Sequence, residues 1–302
     1  MKAIVLHEYG APGKLKYEDV EDPRPGAGEV LVRLAATSVN PVDYKLRSGA
    51  LQAYMPLELP AILGRDVSGV VREVGPEVTG FAEGDRVMAL GDKAYAEFVV
   101  VKASDLTVVP PELGLVEAAA LPLVTLTGEQ LISRGIKLQK GQTVLVAGAV
   151  GGVGRAAVMT ARRAGAIVIA GVRKRQVDEA KELRADEVLA LDDEQAMEKL
   201  GSLDAVADAV GHETAERLIG KVKQGGIFAS VLGPPANTKL HPTVQVQSVR
   251  VVPDAGMLCT LADAVVAKRL RIPIDRMVPL ADAAEAQAAA EKGGIGKVLL
   301  LA

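Results

Sequence analysis

The fold of this chain is decided by the stretch Thr143-Val-Leu-Val-Ala-Gly-Ala-Val-Gly-Gly-Val-Gly154, in which an apolar strand runs into a glycine-rich turn. A helix is predicted directly after it, from Arg155 to Ala164. From Ala149 the spacing is Ala-x-Gly-x-x-Gly, one substitution away from the dinucleotide-binding fingerprint. Glycine lets the backbone bend tightly and approach a ligand, and the amides and dipole at the start of the next helix favour a phosphate. The pattern predicts that a pyrophosphate is bound by Gly148, Ala149, Val150, Gly151, Gly152 and Val153. A glycine-rich turn without a ligand is the alternative.

Length, charge and cysteine content exclude several classes of protein. At 302 residues the chain is longer than one hydrophobic core usually supports, so two domains are expected. The net charge of -3 gives no basic excess for nucleic acid, and no apolar run reaches the roughly 18 residues of a membrane helix. Met1 to Glu8 lacks the apolar region of a secretory signal, and the single cysteine, Cys259, excludes an internal disulfide. We therefore expect a cytoplasmic protein that binds neither nucleic acid nor membrane.

The pattern of the chain changes near Glu112. Before it, short apolar runs between Gly and Pro turns predict a β-rich unit with strands at Lys2 to Glu8, Glu29 to Ala36, Asp66 to Val74, Asp85 to Leu90 and Ala94 to Val101. After it, helical patterns alternate with strands predicted at Thr143 to Ala147, Ile167 to Gly171, Glu187 to Ala190, Ala205 to Ala209, Gly226 to Val231 and Val249 to Val252. This alternation predicts a parallel, doubly wound sheet, so the fold class is α/β. After a helix near Leu261 to Lys268, an Ala-rich helix and a strand from Lys297 to Leu301 are expected to return to the first unit.

The end of the second alternating strand indicates which dinucleotide is bound. In NAD-binding units an acidic residue about 20 positions after the glycines bonds the ribose 2′-hydroxyl. Here that position is neutral, and Ile167 to Gly171 leads into a cationic cluster, Arg173, Lys174 and Arg175. Guanidinium groups match phosphate oxygens, so the cluster favours NADP(H) through its 2′-phosphate. A solvated helix start is the alternative interpretation.

Further segments give the chain a resemblance to a known family: Val39-Asn-Pro-Val-Asp-Tyr-Lys-Leu-Arg-Ser-Gly49, Leu63-Gly-Arg-Asp-Val-Ser-Gly69, Gly80-Phe-Ala-Glu-Gly-Asp-Arg-Val87 and Leu121-Pro-Leu-Val-Thr-Leu-Thr127. With the glycine-rich turn, they make the chain resemble the zinc-free quinone oxidoreductase branch of the medium-chain dehydrogenase/reductase superfamily over nearly its whole length. The resemblance implies a GroES-like β-rich catalytic domain at residues 1–115, completed by residues 270–302. It also implies a Rossmann NADP-binding domain at residues 116–269, with the active site in the cleft between the two.

By the same resemblance, the positions that hold the catalytic zinc in related alcohol dehydrogenases carry Asn40, Arg65 and Leu123, with Asp66 in place of a nearby glutamate. These residues do not form the soft, neutral or anionic set that zinc prefers, so no metal is expected. Without a metal Lewis acid, the suitable acceptor is one whose own conjugation spreads the incoming negative charge. The expected substrate is therefore a quinone or an α,β-unsaturated carbonyl that takes hydride from NADPH.

Catalytic roles also follow from the resemblance. Asn40 and Asp43 are expected beneath the nicotinamide, and Tyr44 and Lys45 are expected to face the substrate, where either can donate a hydrogen bond to the developing oxyanion. A helix-capping turn at Asn40, with Tyr44 packed in the wall, is an equally open alternative. Asp66 is expected to anchor either Asn40 or Lys45; the alternative is that it has only a structural role.

The cofactor site is extended by further residues. Thr127 is expected near the nicotinamide carboxamide by resemblance. Ligands dock at the carboxyl edge of a parallel sheet, which adds the strand ends Ala209, Val210, Gly211, Leu232 and Gly233. Lys297 either contacts phosphate or is an ordinary exposed lysine.

Association and alternative functions complete the prediction. Gln247 to Val252 alternates like an edge strand, and the resemblance implies that such edges pair across a two-fold axis, so a homodimer is expected. Because a fold does not guarantee chemistry, a non-enzymatic NADPH-binding redox sensor or structural protein is the alternative function. A zinc alcohol dehydrogenase is a more distant one.

Overall fold

The computed structural model describes residues 1–294 and 296–302; Ile295, which falls in the predicted closing segment, lies outside the described residues. In chain order, the strands are β1 (Lys2–Leu6), β2 (Leu15–Asp19), β3 (Glu29–Ser38), β4 (Ala61–Ile62), β5 (Asp66–Val74), β6 (Arg86–Leu90), β7 (Phe98–Lys102), β8 (Leu106–Val108), β9 (Thr143–Ala147), β10 (Ile167–Val172), β11 (Glu187–Ala190), β12 (Leu203–Asp208), β13 (Val222–Ser230), β14 (Gln245–Ser248), β15 (Ile274–Pro279) and β16 (Lys297–Leu301). The α-helices are α1 (Pro41–Arg47), α2 (Leu115–Ala118), α3 (Pro122–Gln130), α4 (Gly152–Arg163), α5 (Val177–Ala180), α6 (Glu194–Lys199), α7 (His212–Ile219), α8 (Ala255–Val266) and α9 (Ala283–Glu291).

The first compact unit comprises Met1–Leu123, Val252–Lys268 and Ile272–Ala302. Its larger sheet has the order β15-β16-β3-β5-β6-β8, with β7 also paired to β3, and its smaller sheet has the order β2-β1-β4. Apolar residues recur at every second position of β3, the spacing that puts side chains on one face, and they pack into a buried core: Val30, Val32 and Leu34. Strand β16, near the end of the chain, pairs antiparallel with β3.

The second compact unit comprises Val124–Val251 and Arg269–Arg271. Its six-stranded parallel sheet has the order β11-β10-β9-β12-β13-β14, so strand addition reverses direction between β9 and β12. Small residues of α4, such as Ala157 and Ala161, join the core on the sheet and allow the helix to approach closely. A β-rich unit together with a doubly wound parallel sheet confirms the predicted α/β fold class.

Several elements differ from those predicted. The short strands β2, β4 and β8 are absent from the sequence prediction; β2, for example, buries only Leu15 and therefore shows no apolar alternation. The strand predicted from Val249 to Val252 is wrong, because the edge strand is β14, four residues earlier, and it pairs with β13. An edge strand is defined by its backbone hydrogen bonds on one side, and its mostly exposed side chains leave little apolar pattern to detect. A short 3-10 turn, Thr238–Leu240, precedes β14 in place of an α-helix.

The boundary between the units also differs from the predicted ranges. Helix α8 begins at Ala255, earlier than predicted, and contacts β8 of the first unit. The segment Val252–Lys268 therefore clusters with the first unit, although the sequence prediction included it in residues 116–269. Among the described residues, no helix is both long and apolar enough to cross a membrane.

Candidate functional site

The glycine-rich loop between β9 and α4 is stabilised by backbone hydrogen bonds within the loop and to Gly171. Gly148 has a φ of +76°, in the left-handed region that favours glycine. The amides of Gly148 and Ala149 both donate to the Gly171 carbonyl, at 2.9 and 3.1 Å, and the Gly151 amide donates to the Gly148 carbonyl at 3.0 Å. The loop is therefore tied to the end of the neighbouring strand β10.

Glycine is also required where the helix approaches this loop. A Cβ added at Gly154 would overlap the Gly148 carbonyl oxygen, and one added at Gly152 would lie 3.1 Å from the Val124 side chain. The amides in the first turn of α4 have no acceptor within the helix, because a helix leaves its first amides unbonded. A close-packed glycine turn that leads into unbonded helix amides fits a phosphate group.

Strand topology brings most of the predicted cofactor residues to one edge of the parallel sheet. Strands β10, β9, β12 and β13 are consecutive neighbours, and Gly171, Ala147, Asp208 and Ser230 are paired near their carboxyl ends. The predicted cofactor residues lie in the segments after these strands: Arg173, Lys174 and Arg175 after β10, Gly148 to Val153 after β9, Ala209, Val210 and Gly211 after β12, and Leu232 and Gly233 after β13. Thr127 is buried on α3 of the same unit, and its role toward a nicotinamide stays a prediction.

A buried carboxylate that the sequence analysis gave no role joins two of these strand-end loops. Asp208 is fully buried at the end of β12, and its Oδ1 accepts hydrogen bonds from the amides of Val210, at 3.0 Å, and Gly211, at 2.9 Å. Its Oδ2 accepts a hydrogen bond from Ser230 Oγ at 2.7 Å, and that hydroxyl accepts one from the Leu232 amide at 3.0 Å. The only sequence signal was an acidic residue at the end of an apolar strand.

The basic segment after β10 is exposed, and the structure adds carboxylates beside it. The Lys174 amide donates to Asp192 Oδ1 at 2.6 Å, and its ammonium lies 3.5 Å from Asp193 Oδ2. These two aspartates follow β11, the strand next to β10 in the sheet. The sequence analysis considered only the residues at the end of β10 and so did not find them. The side chains of Arg173 and Arg175 form no ion pair with any residue that the structure describes. These two exposed guanidinium groups are therefore available to an anionic ligand.

The first unit contains a buried polar cluster formed by Asn40, Asp66 and Lys297. The Lys297 ammonium donates to Asn40 Oδ1 at 2.6 Å and lies 3.4 Å from Asp66 Oδ2, with the Val39 carbonyl also at 3.4 Å. The Asn40 side-chain amide donates to Asp66 Oδ2 at 2.7 Å. Asp66 also accepts hydrogen bonds from the Leu123 amide, at 2.7 Å, and from Ser38 Oγ. The carboxylate of Asp66 thus has four donors around it.

The structure gives the contacts of the predicted catalytic residues in and beside this cluster. Asp66 anchors Asn40, and the cation beside it is Lys297, a pairing that the sequence analysis missed. Lys297 is not an ordinary exposed lysine, since its side chain is only 9% exposed. A helix cap is present at Asn40, whose backbone amide donates to Asp43 Oδ2 at 2.8 Å, and Tyr44 packs against the core of the unit. Tyr44 and Lys45 are partly exposed, and their roles toward a substrate stay predictions.

Asp43 has an unusual environment. It is fully buried, its Oδ2 also accepts a hydrogen bond from Tyr95 Oη at 3.1 Å, and its Oδ1 has no hydrogen-bond partner among the residues that the structure describes. Burial, which disfavours the charged carboxylate, raises the pKa of Asp43 to about 7, and the nearby charge of Asp66 acts in the same direction. Burial, followed by the charge of Asp43, also raises the pKa of Tyr95.

The residues at the zinc-ligand positions do not fit a zinc ion. Asn40 Oδ1 already accepts a hydrogen bond from the Lys297 ammonium, Arg65 is ion-paired with Asp92 at 3.2 Å, and Leu123 has no donor atom in its side chain. A divalent cation beside Asn40 would be repelled by the ammonium and would lack thiolate and imidazole ligands. Within residues 1–294 and 296–302, no three His, Cys, Asp or Glu side chains are grouped as a metal site.

Comparison with known proteins identifies the family. The family model of the alcohol dehydrogenase GroES-like domain matches residues 26–111, and that of the zinc-binding dehydrogenases matches residues 183–300. A chloroplast envelope quinone oxidoreductase homolog of Arabidopsis thaliana is 40% identical over 199 residues, which cover 63% of this chain and 60% of that protein. A 2-haloacrylate reductase of Burkholderia is 30% identical over 268 residues, which cover 84% of this chain and 78% of that protein.

A solved mycobacterial protein, crystallised in complex with NADPH, is 30% identical and superimposes with a TM-score of 0.87 over 100% of both chains. Together with the fold, these matches define a chain of two units, one GroES-like and one with a parallel sheet, whose relatives are oxidoreductases. The chain belongs to the medium-chain dehydrogenase/reductase superfamily and is a relative of its quinone oxidoreductases.

Proposed function

We propose that this protein is a zinc-independent oxidoreductase that uses NADPH to reduce a quinone or an α,β-unsaturated carbonyl. The observation that carries the proposal is the set of four strand-end loops at one edge of the parallel sheet, with a fixed glycine turn among them. The turn and the first amides of α4 suit a diphosphate. The mycobacterial relative in complex with NADPH supports a nicotinamide dinucleotide as the ligand.

The preference for NADPH rests on Arg173 and Arg175. Both are exposed, follow directly on β10 and form no ion pair among the described residues, so both guanidinium groups are free to bind a 2′-phosphate. Lys174 contributes less, because its ammonium lies near Asp193 and its amide bonds Asp192. The two arginines, rather than the whole cluster, are therefore the proposed 2′-phosphate contacts.

The proposed acceptor class is supported by the chemistry of the Asn40, Asp66 and Lys297 cluster, which does not suit a metal ion. A bound nicotinamide would supply hydride, and an acceptor that delocalises the resulting charge over its own conjugated system needs no metal to stabilise it. The names of the Arabidopsis and Burkholderia relatives, a quinone oxidoreductase homolog and a 2-haloacrylate reductase, support conjugated acceptors. Asn40 and Asp66 are proposed to shape the catalytic site, and Tyr44 or Lys45 to hydrogen-bond the enolate or quinol anion.

The proposal is tested by following NADPH oxidation by stopped-flow absorbance with a panel of quinones, enals and enones. A chelator is present throughout, and saturated aldehydes and ketones serve as controls. We expect turnover with the conjugated acceptors alone. Tight binding of NADPH without oxidation by any acceptor would favour a non-enzymatic NADPH-binding protein. Stoichiometric zinc in the purified protein, together with alcohol oxidation, would favour an alcohol dehydrogenase.

A homodimer and a cytoplasmic location complete the proposal. Strand β14 is an edge of the parallel sheet, and backbone pairing of two such edges extends a sheet across a two-fold axis. Light scattering is expected to give twice the chain mass of 31.4 kDa, and a monomer mass would reject the dimer.

A further inference from the structure

A buried arginine lies in the first turn of α4, where a cation is unfavourable. Arg155 is 5% exposed, whereas Arg162 and Arg163 are exposed in the last turn of the same helix. The helix dipole places positive charge at the first turn and so disfavours Arg155 while favouring the other two. Burial of a charged side chain at such a position requires specific partners.

Both partners of Arg155 belong to segments of the proposed cofactor site. Its Nε donates to the Val150 carbonyl at 2.8 Å, and its Nη2 donates to Glu179 Oε1 at 2.5 Å. Val150 lies in the glycine-rich loop. Glu179 lies in α5, which begins two residues after Arg175. The planar guanidinium thus joins the loop to the helix that follows the basic segment.

The contact with Val150 helps to fix the peptide bond between Val150 and Gly151, which is hydrogen-bonded at both its oxygen and its N–H. The Val150 carbonyl and the Gly151 amide belong to one planar peptide unit. Its oxygen accepts the hydrogen bond from Arg155, and its N–H donates to the Gly148 carbonyl at 3.0 Å. The orientation of this peptide therefore depends on the arginine, and the arginine is oriented by Glu179.

We infer that Arg155 is a positioning residue that braces the glycine-rich loop against the segment of Arg173 and Arg175, and so sets selectivity for a dinucleotide that carries a 2′-phosphate. The inference rests on the proposed function. A nucleotide with a diphosphate and a 2′-phosphate binds both segments at once, and its affinity depends on their spacing. A nucleotide without the 2′-phosphate uses the loop but not the arginines, so it is less sensitive to that spacing.

The test compares E179Q and R155K with the unmodified protein and with D178N. The E179Q substitution keeps an oxygen that can accept a hydrogen bond but removes the charge. R155K keeps the charge but lacks the planar fork whose Nε and Nη2 reach the two partners. D178N removes an exposed ion pair with Lys181 in the same segment and serves as the matched control. Calorimetric titration gives the Kd for NADPH and for NADH, steady-state kinetics separate KM from kcat, and circular dichroism checks folding.

We expect E179Q, which keeps the hydrogen bond from Arg155 to Val150, to raise the Kd and KM for NADPH about ten-fold, with less than about a two-fold change for NADH. R155K also loosens the loop that both nucleotides use, so it is expected to weaken both, NADPH more than NADH. At saturating NADPH, kcat is expected to stay unchanged, and D178N is expected to behave like the unmodified protein. Equal weakening of NADPH and NADH, or unchanged NADPH binding in folded E179Q, would overturn the inference while leaving the proposed function intact. Failure of the unmodified protein to bind either nucleotide would instead overturn the proposed function, and the inference with it.

Discussion

The ammonium of Lys297 donates a 2.6 Å hydrogen bond to the side-chain oxygen of Asn40, although the two residues lie near opposite ends of the chain. They meet because β16 pairs with β3 and so brings its first residue beside the segment that follows β3. The same ammonium is the cation nearest to the buried carboxylate of Asp66 among the contacts of the cluster. Lys297 thereby neutralises the first unit's polar cluster, and this makes it the first target for mutation.

Replacing Lys297 by Met is expected to lower the free energy of unfolding by roughly 3 kcal/mol, because it leaves the Asp66 carboxylate buried without its cation. Urea denaturation followed by circular dichroism measures the change. The double variant K297M/D66N, which removes both charges, is expected to recover part of the loss. A K297M protein as stable as the parent would show that the ion pair is unimportant.

The raised pKa of Asp43 predicts that the free energy of unfolding decreases as the pH rises. Its pKa is about 7 in the folded protein and near the ordinary 3.8 in the unfolded chain, so the folded state binds the extra proton between these values. Stability from this group is therefore fully present below about pH 4 and is lost as pH rises from there through 7, with a slope of at most about 1.4 kcal/mol per pH unit. The groups that face Asp43 are Asp66, Tyr95 and Lys297.

Replacing Asp43 by Asn keeps an oxygen for the Asn40 amide and the Tyr95 hydroxyl but removes the titration. Urea denaturation of D43N at intervals from pH 4 to 8 is expected to lack the decrease seen in the parent. Parallel pH profiles for the two proteins would exclude Asp43 as the titrating group.

Replacing Arg173 or Arg175 by Ala is expected to raise the Kd for NADPH at least about ten-fold, because each loses a charge-assisted bond to the 2′-phosphate. NADH binding is expected to change little, since NADH lacks that phosphate. Fluorescence titration at two salt concentrations measures both, with R162A, an exposed arginine in the last turn of α4, as the matched control. Unchanged NADPH binding in both variants would show that other residues recognise the 2′-phosphate.

Replacing Gly154 by Ala is expected to lower both stability and nucleotide binding, because the new Cβ overlaps the Gly148 carbonyl and forces helix α4 away from the loop. Thermal unfolding and NADPH titration report the two effects. Gly201 provides the control, since a Cβ there meets nothing within 4 Å. If G154A behaves like G201A, close packing at the glycine turn is not required.

The glycine-rich stretch and the strand–helix alternation predicted the parallel sheet because both are local patterns. The apolar run at Thr143–Ala147, the turn after it and the helix that follows are each visible within a few residues. The prediction failed where apolar pattern is weak: β2 buries only Leu15, and the edge strand β14 lies four residues before the predicted one.

By itself, the sequence determined the residue types available for chemistry: glycines where a phosphate approaches, arginines after β10, and neither cysteine nor histidine at the zinc-ligand positions. Those properties depend only on which side chains are present and in what order. Only the tertiary structure decided which distant groups meet, as in Lys297 with Asn40, Asp208 with Ser230, and Arg155 with Glu179. Such pairs form when strand pairing and helix packing bring residues together, and no local spacing encodes the partner of a buried charge.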